Sequence, residues 1–176
     1  MILLKIGPSM DKKIFIGVGS NMGQSYKNCV MAIKMISSDR RAYLRSISSF
    51  YQTSPISAIE QNDFINCAIE IDWMGTPQEL LQFLNEIESS MGRVRSEKNG
   101  PRVIDLDILL YGNRVINEDS LTVPHKELHR RRFAIMPCLE IDPHLTLTKP
   151  LATFLGETGD DQKITKLEGI GFDEGE

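Results

Sequence analysis

The chain has 176 residues, of which 41% are hydrophobic and 25% are charged, and its formal net charge is -4. This length favours one domain with a hydrophobic core over two, and the mild acidity argues against a general nucleic-acid binder, which normally carries a basic excess. The apolar runs are too short to span a bilayer, and the three widely spaced cysteines, Cys29, Cys67 and Cys138, indicate buried thiols in a reducing cytoplasm.

The first half of the chain predicts three strands and one helix. After an expected N-terminal extension or tag at 1–12, KIFIGVGSN predicts a strand at 14–18 that ends in a glycine-containing loop. Apolar residues then recur at helical spacing over 25–37. A second strand is expected at 45–51, followed by an exposed loop in the turn-rich QTSPISAIEQN. The alternation in FINCAIEIDW predicts a third strand, with Cys67, Ile69 and Ile71 on one face and Phe64 and Asn66 on the other.

The segment TPQELLQFLNEIESSMG predicts a well-capped helix. Thr76 suits the N-cap, Pro77 the first helical position and Glu79 a capping box, and Gly92 can end the helix. A fourth strand is expected at 103–111, and a turn then leads to a short partner strand at 114–116.

The C-terminal third predicts one helix and one strand. Apolar residues at helical spacing in RRRFAIMPCLEIDP indicate a helix, although Pro137 lies inside it and is normally tolerated only in a helix's first turn. KITKLEGIGF predicts a late strand. The order β, α, β, β, α, β favours an α+β fold in which helices cover one face of a mainly antiparallel sheet. We expect a ferredoxin-like βαββαβ sandwich with a C-terminal extension, forming a single domain over 13–176.

Two carboxylates interrupt the apolar strand in GPRVIDLDILLYG. Side chains two apart in a strand point the same way, so Asp105 and Asp107 share one face and leave the other to the core. Two like charges this close repel each other, and a divalent cation such as Mg2+ would relieve that repulsion. The alternatives are salt bridges to nearby arginines or a solvated edge strand.

Two basic clusters flank this strand. Arg93, Arg95 and Arg102 precede it, and an RRR run at 130–132 follows. Arginine binds phosphate oxygens in two places at once, so clusters around a metal strand would suit a polyphosphate, although an RRR run alone is also typical of a solvated face. No P-loop pattern is present.

Other side chains suit a heteroaromatic ring or a phosphate. Phe64 beside Asn66 offers an aromatic surface and an amide edge, which fits a flat ring, although plain packing explains the pair equally well. His125 could donate a hydrogen bond to a phosphate or be structural.

These segments together resemble the 6-hydroxymethyl-7,8-dihydropterin pyrophosphokinase family. The resemblance rests on GPRVIDLDILLYG and, in chain order, on GSN, SSFYQTSPI, DFINCAIEI, ELLQFLNEIESSMGRVR, LTVPH and RRRFAIMPCLEIDP, which cover about 13–150. It implies an enzyme of folate biosynthesis that transfers pyrophosphate from ATP to the pterin alcohol and releases AMP, with two Mg2+ ions and with ATP as co-substrate. We expect it to act as a cytoplasmic monomer that binds neither nucleic acid nor membrane.

The resemblance also implies residue roles. The metal ligands would be Asp105 and Asp107, and the catalytic set would add Arg93, Arg95 and Arg102. ATP contacts are expected from Glu88, Arg93, Arg102, Thr122, His125 and Arg131. Pterin contacts are expected from Thr53, Pro55, Ile56, Phe64, Asn66 and Phe133.

The sequence departs from the family pattern at a few positions. Asn99 stands where some members have a Trp, and Ser54 replaces the first proline of a T-P-P pattern. The loop 95–102 is one residue shorter than in one known form of the family. Two other functions fit parts of the sequence. They are a metal-dependent nucleotide phosphoesterase and a ferredoxin-like RNA-binding module.

Overall fold

A computed structural model describes residues 10–94, 100–159, 161–169 and 172. Its strands are β1 (Met10–Ser20), β2 (Ala42–Ile47), β3 (Tyr51–Thr53), β4 (Phe64–Met74), β5 (Asp105–Tyr111), β6 (Ile116–Asn117), β7 (Thr122–Val123) and β8 (Ile164–Lys166). Its helices are α1 (Ser25–Ser38), α2 (Pro77–Ser90), α3 (Arg132–Ile141) and α4 (Leu151–Leu155), with a 3-10 turn at Leu128–Arg130. Within these ranges no helix has the length and apolar character that a membrane crossing requires.

Six strands form one antiparallel sheet in the order β5-β1-β4-β3-β8, with β2 also paired to β4. β6 and β7 form a separate two-stranded sheet. The predicted mixture of helices with an antiparallel sheet is confirmed. The late strand predicted after residue 163 is present as β8, and it adds a sheet edge beside β3.

One face of the sheet packs against α1 and α2. Its core contains Cys67, Ile69 and Ile71 of β4 together with Ile33 of α1 and Leu84 of α2. The alternation predicted for β4 is therefore confirmed. The capping box of α2 is also confirmed, since Thr76 Oγ1 accepts from the Glu79 N–H at 3.1 Å and Glu79 Oε2 accepts from the Thr76 N–H at 2.7 Å.

The opposite face is covered as well, by α3 and α4. Ile135 and Cys138 of α3 pack there with Phe15 of β1 and Ala68 of β4. The expectation that helices cover only one face was therefore wrong. Pro137 lies inside α3, where it removes one backbone donor. The burial of its neighbours in this second core is the favourable contribution that offsets that loss.

Several strand boundaries differ from the predictions, including that of β5, which begins at Asp105 and not at residue 103. The strand expected at 45–51 is two strands, β2 and β3. Between them the regular backbone pairing with β4 is interrupted at Ser48, whose side-chain Oγ accepts from the Ala68 N–H at 2.9 Å. The short strand expected at 114–116 begins at Ile116 and pairs with β7 rather than β5. β1 begins at Met10, which lies opposite Met74. Of the expected extension at 1–12, residues 1–9 lie outside the described residues.

The three cysteines are buried free thiols. Burial raises the pKa of Cys29 and of Cys138 to about 12. Thiols this protonated are poor nucleophiles and metal ligands, so the prediction of structural cysteines is confirmed.

Candidate active site

A cleft of about 370 Å³ opens on the α3 side of the sheet. Its floor is the row that β5, β1 and β4 make across the sheet, where Asp105 lies opposite Gly19 and Gly19 lies opposite Asn66. Neighbouring strands are about 4.8 Å apart, so about 10 Å separates the backbones that carry the carboxylate and the amide. The cleft therefore has an acidic end and an amide end joined by a glycine.

The glycines of β1 make the floor low enough to hold a ligand. A Cβ on Gly19 would lie 2.5 Å from Asn66 Oδ1, which is closer than real Cβ contacts allow. Gly17, opposite Asp107, already lies against the Leu109 side chain, 3.3 Å from where its Cβ would be. The GVGSN segment thus supplies a flat surface beneath the cleft. From the sequence, this segment was predicted only to be a loop in which the backbone could approach a ligand.

At the acidic end, Asp105 is held by two arginines. Its Oδ1 lies 2.7 Å from Arg93 Nη1, and its Oδ2 pairs with Arg102. Arg93 also pairs with the buried Glu88. Burial acts to lower the pKa of Arg93, but the charges of Asp105 and Glu88 outweigh it and hold the pKa above its ordinary value. The salt-bridge alternative is therefore realised for Asp105.

Asp107 has a different environment. Among the described residues, the ionisable side chain that approaches it within 4.0 Å is His125, whose Nε2 lies at that distance from Asp107 Oδ2, and 38% of the Asp107 side chain remains exposed. Desolvation on the cleft floor, together with the charge of Asp105, raises the pKa of Asp107 to about 7. A positively charged ligand would stabilise the ionised form of this carboxylate.

His125 is fixed by its own backbone and side chain. Its N–H donates to the Leu109 carbonyl at 2.9 Å, and its Nδ1 accepts from the Glu127 N–H at 3.2 Å. Because Nδ1 accepts, the neutral ring carries its proton on Nε2, the atom that faces Asp107. Burial and the charge of Arg131 lower the pKa of His125, which favours this neutral donor.

At the amide end, Asn66 and Thr53 form a fixed pair. Asn66 Nδ2 donates to Thr53 Oγ1 at 2.7 Å, and both residues are buried. Phe64, two residues before Asn66, lines the same cleft, as does Phe133 at the start of α3. Pro55 and Ile56 complete this end. All six predicted pterin-contacting residues therefore lie around one space.

The predicted ATP-contacting residues separate into two groups. Arg102, His125 and Arg131 line the cleft, whereas Glu88, Arg93 and Thr122 lie outside its lining. Glu88 is buried, and its Oε1 accepts from the Leu106 N–H at 2.7 Å. Burial raises the pKa of Glu88, with Leu106 and Arg93 opposing that effect. Arg95 lies outside the described residues.

Arg130, which belongs to the basic cluster predicted at 130–132, also lines the cleft. Other cleft residues were not among the predicted site residues, including Gly17, Gly19 and Gln162. The glycines had a signal in the strand-to-loop pattern. Gln162 had none, because it comes from a polar segment far along the chain that β8 returns to the sheet.

Comparison with known proteins gives a family assignment. The model of the 7,8-dihydro-6-hydroxymethylpterin-pyrophosphokinase family matches residues 15–143. The 2-amino-4-hydroxy-6-hydroxymethyldihydropteridine pyrophosphokinase of Haemophilus influenzae is 38% identical over 154 residues, which are 87% of this chain and 96% of that protein. The Bacillus subtilis protein of the same name is 35% identical over 132 residues, covering 75% of this chain and 79% of that protein.

Solved structures show the same fold at low identity. Plasmodium falciparum HPPK-DHPS A437G with STZ-DHP matches with a TM-score of 0.68 and 10% identity, over 89% of this chain and 47% of that one. This chain thus spans about half the length of that longer protein. Because the family model covers most of the chain and the H. influenzae relative is matched almost end to end, the protein belongs to the 7,8-dihydro-6-hydroxymethylpterin-pyrophosphokinase family.

Proposed function

We propose that this protein transfers pyrophosphate from ATP to the hydroxymethyl group of 6-hydroxymethyl-7,8-dihydropterin in the cleft described above. The observation that carries the proposal is the single row Asp105–Gly19–Asn66, which places a carboxylate end and an amide end in one cleft. The products are AMP and the pterin pyrophosphate, as membership of the family implies for a step of folate synthesis.

The carboxylates fit a divalent cation. Asp105 and Asp107 share one face of β5, and the repulsion between them contributes to the raised pKa of Asp107. Mg2+ takes one or two carboxylates and completes its shell with phosphates and water, so the two carboxylates of β5 match its needs when ATP is bound. We propose two ions, whose chemistry is to neutralise charge on the ATP phosphates.

The basic side chains hold the triphosphate. Arg102 and Arg131 line the cleft, and both can bind phosphate oxygens as forks. His125 donates from Nε2, since its Nδ1 is occupied by the Glu127 N–H. Arg93 lies outside the cleft lining, where it forms an ion pair with Asp105 and is itself held by an ion pair with Glu88. Thr122 and Arg95 complete the proposed set on the strength of the family resemblance.

The amide end holds the pterin. Phe64 and Phe133 supply apolar surface for the ring, and Asn66 supplies an amide that can match the ring's own donor and acceptor edge. Because Thr53 accepts from Asn66 Nδ2, the orientation of this amide is determined before the ring binds. Pro55 and Ile56 close the space beside it.

The reaction is an in-line displacement at the β-phosphorus of ATP. The pterin hydroxymethyl oxygen forms a bond to that phosphorus and loses its proton to solvent, while the bond to the bridging α,β-oxygen breaks and AMP leaves with the electron pair. The chain contributes position and charge. Arg102 and Arg131 stabilise the negative charge that moves to the leaving group, and the rigid floor sets the distance between the two substrates.

A product assay tests this function. With ATP, Mg2+ and 6-hydroxymethyl-7,8-dihydropterin we expect AMP and pterin pyrophosphate in equal amounts. ATP consumption without pterin, or ADP as product, would indicate a phosphoesterase instead. Tight RNA binding with a steep salt dependence and no affinity for MgATP would indicate an RNA-binding module.

We also propose a topology, a domain extent and a cellular setting for this protein. The strand order β5-β1-β4 with β2 and β3 beyond it supports a ferredoxin-like βαββαβ core with a C-terminal extension. We propose a single domain over 13–176 that works as a monomer in the cytoplasm, without nucleic acid or membrane as a partner. Reduced, buried cysteines are consistent with the cytoplasm.

A further inference from the structure

Gln162 belongs to the segment between α4 and β8, beyond residues 15–143 that the family model matches. Its side chain nevertheless lines the cleft, beside Thr53, Phe64 and Asn66. The segment reaches this place because Ile164 of β8 pairs with Thr53 of β3. A residue from outside the matched region is thus part of the proposed pterin-binding end.

Three hydrogen bonds attach this segment to Ser54. The Ser54 N–H donates to the Lys163 carbonyl at 2.9 Å, the Lys163 N–H donates to Ser54 Oγ at 3.0 Å, and Gln162 Nε2 donates to the Ser54 carbonyl at 2.6 Å. Two of these bonds use the amide hydrogen and the hydroxyl of Ser54, and a proline has neither. These two hydrogen bonds can therefore form only because Ser54 replaces the first proline of the T-P-P pattern.

The oxygen of the Gln162 amide differs from the nitrogen in having no partner among the residues that the structure describes. Within the described ranges of the chain, Gln162 Oε1 is buried and accepts no hydrogen bond. The opposite orientation of the amide would bring this oxygen against the Ser54 carbonyl, so the bond from Nε2 determines the orientation. A buried acceptor left without a donor is costly, and such groups in native proteins usually have a partner. The adjoining cleft is where a ligand can supply one.

We propose that Gln162 is a substrate-binding residue that contributes to specificity, with its Oε1 accepting a hydrogen bond from an N–H group of the bound pterin ring. The inference rests on the proposed function, since it takes that ring as the ligand. A 7,8-dihydropterin offers donors at its 2-amino group, at N3 and at N8. The hydrogen bond from Gln162 Nε2 to the Ser54 carbonyl already holds the Gln162 side chain in place, so little side-chain entropy is lost when the ring binds.

The first test is steady-state kinetics of Gln162→Met, which keeps the length of the side chain but removes its amide. Loss of one neutral hydrogen bond to the ring should raise the KM for the pterin roughly tenfold, with the KM for ATP and kcat unchanged. The matched control is Gln52→Met, the same substitution on the exposed side of β3, where Gln52 bonds to Asp63 at 2.8 Å. The melting temperature of both variants is measured alongside.

The second test uses ring analogues that lack one donor each, at the 2-amino group, at N3 or at N8. If Gln162 Oε1 accepts from the ring, one analogue binds the wild type about tenfold more weakly than the pterin does, but this difference disappears in Gln162→Met. Gln162→Ala serves as the second variant if Gln162→Met does not fold.

Three results would overturn the inference. They are a pterin KM within about twofold of wild type, an equal rise in the KM for ATP, and additive losses for all three analogues. If the wild type itself forms no pterin pyrophosphate, the proposed function fails and this inference with it. Normal wild-type turnover with an unaffected Gln162→Met removes the inference alone.

Discussion

Glu88 Oε1 accepts a hydrogen bond from the Leu106 N–H at 2.7 Å, so a buried carboxylate on α2 is attached to the backbone of β5 between Asp105 and Asp107. The same oxygen pairs with Arg93. Removing it would leave the buried Leu106 N–H without its acceptor, and it would take from the largely buried Arg93 one of its two carboxylate partners, the other being Asp105. We expect Glu88→Ala to lower the free energy of unfolding by about 3 kcal/mol, as for other broken buried pairs, measured by urea denaturation.

The matched control for this prediction is Glu86→Ala. Glu86 lies two residues earlier on α2 and is exposed, with a hydrogen bond from Gln82. Its loss should change the free energy of unfolding by no more than about 0.5 kcal/mol. Equal destabilisation by the two substitutions would contradict a specific role for Glu88.

Asp107→Asn keeps the size of the side chain and removes the charge that faces the cleft. If this carboxylate holds a cation for the phosphates, kcat should fall about a hundredfold or more, while the melting temperature stays near that of wild type. AMP production at saturating ATP and pterin measures the effect. Asp119→Asn, at an exposed acidic position outside the cleft lining, is the control, and wild-type turnover in Asp107→Asn would remove the metal-binding role.

Gly19→Ala should disrupt the amide end of the cleft. The added methyl group would lie 2.5 Å from Asn66 Oδ1, so Asn66 must move and its bond to Thr53 must weaken. We expect a rise in the pterin KM of about tenfold and a loss of stability of about 1–3 kcal/mol. Gly156→Ala is the control, because its Cβ would meet nothing closer than 3.8 Å. Pterin binding as tight as in wild type would show that the floor tolerates a side chain.

Glu140 should make the stability of the protein depend on acid pH. Burial acts to raise the pKa of this carboxyl, but hydrogen bonds from Ser49 and Tyr51 outweigh it, and the pKa is lower than usual. A lowered folded-state pKa means that the contribution is present above about pH 4.5, the ordinary pKa of the group, and is lost as the pH falls through the folded-state value.

The measurement compares wild type with Glu140→Gln. The difference between their free energies of unfolding should be larger at pH 7 than at pH 3, because protonation of Glu140 removes its contribution as the pH falls through the lowered folded-state pKa. An equal difference at the two pH values would contradict this origin.

Much of the fold follows from local patterns. The capping box of α2 depends on residues three apart, and the two faces of β4 and of β5 up to Ile108 depend on simple alternation, so both were predictable. Beyond Ile108 the alternation fails, because Leu109 and Leu110 both pack in the second core at a register shift against β1. Errors arose where non-local contacts decide. At Ser48 the N–H donates to the Ala68 carbonyl as in a regular strand, but it is the side-chain Oγ that accepts from the Ala68 N–H, and no local pattern indicates this use of the side chain. α3 forms despite Pro137 because its apolar residues meet a second core on the far face of the sheet.

For the site, the chemical groups that are available and the shared face of Asp105 and Asp107 could be read from the sequence, because strand periodicity is a local property. Which of these groups meet in space depends on the tertiary fold. It joins Asp105 to Asn66 across Gly19, places Glu88 behind the cleft rather than in it, and brings Gln162 to Ser54 from 108 residues away. The physical reason is that strand pairing, which sets these neighbours, depends on the packing of both sheet faces and not on separation along the chain.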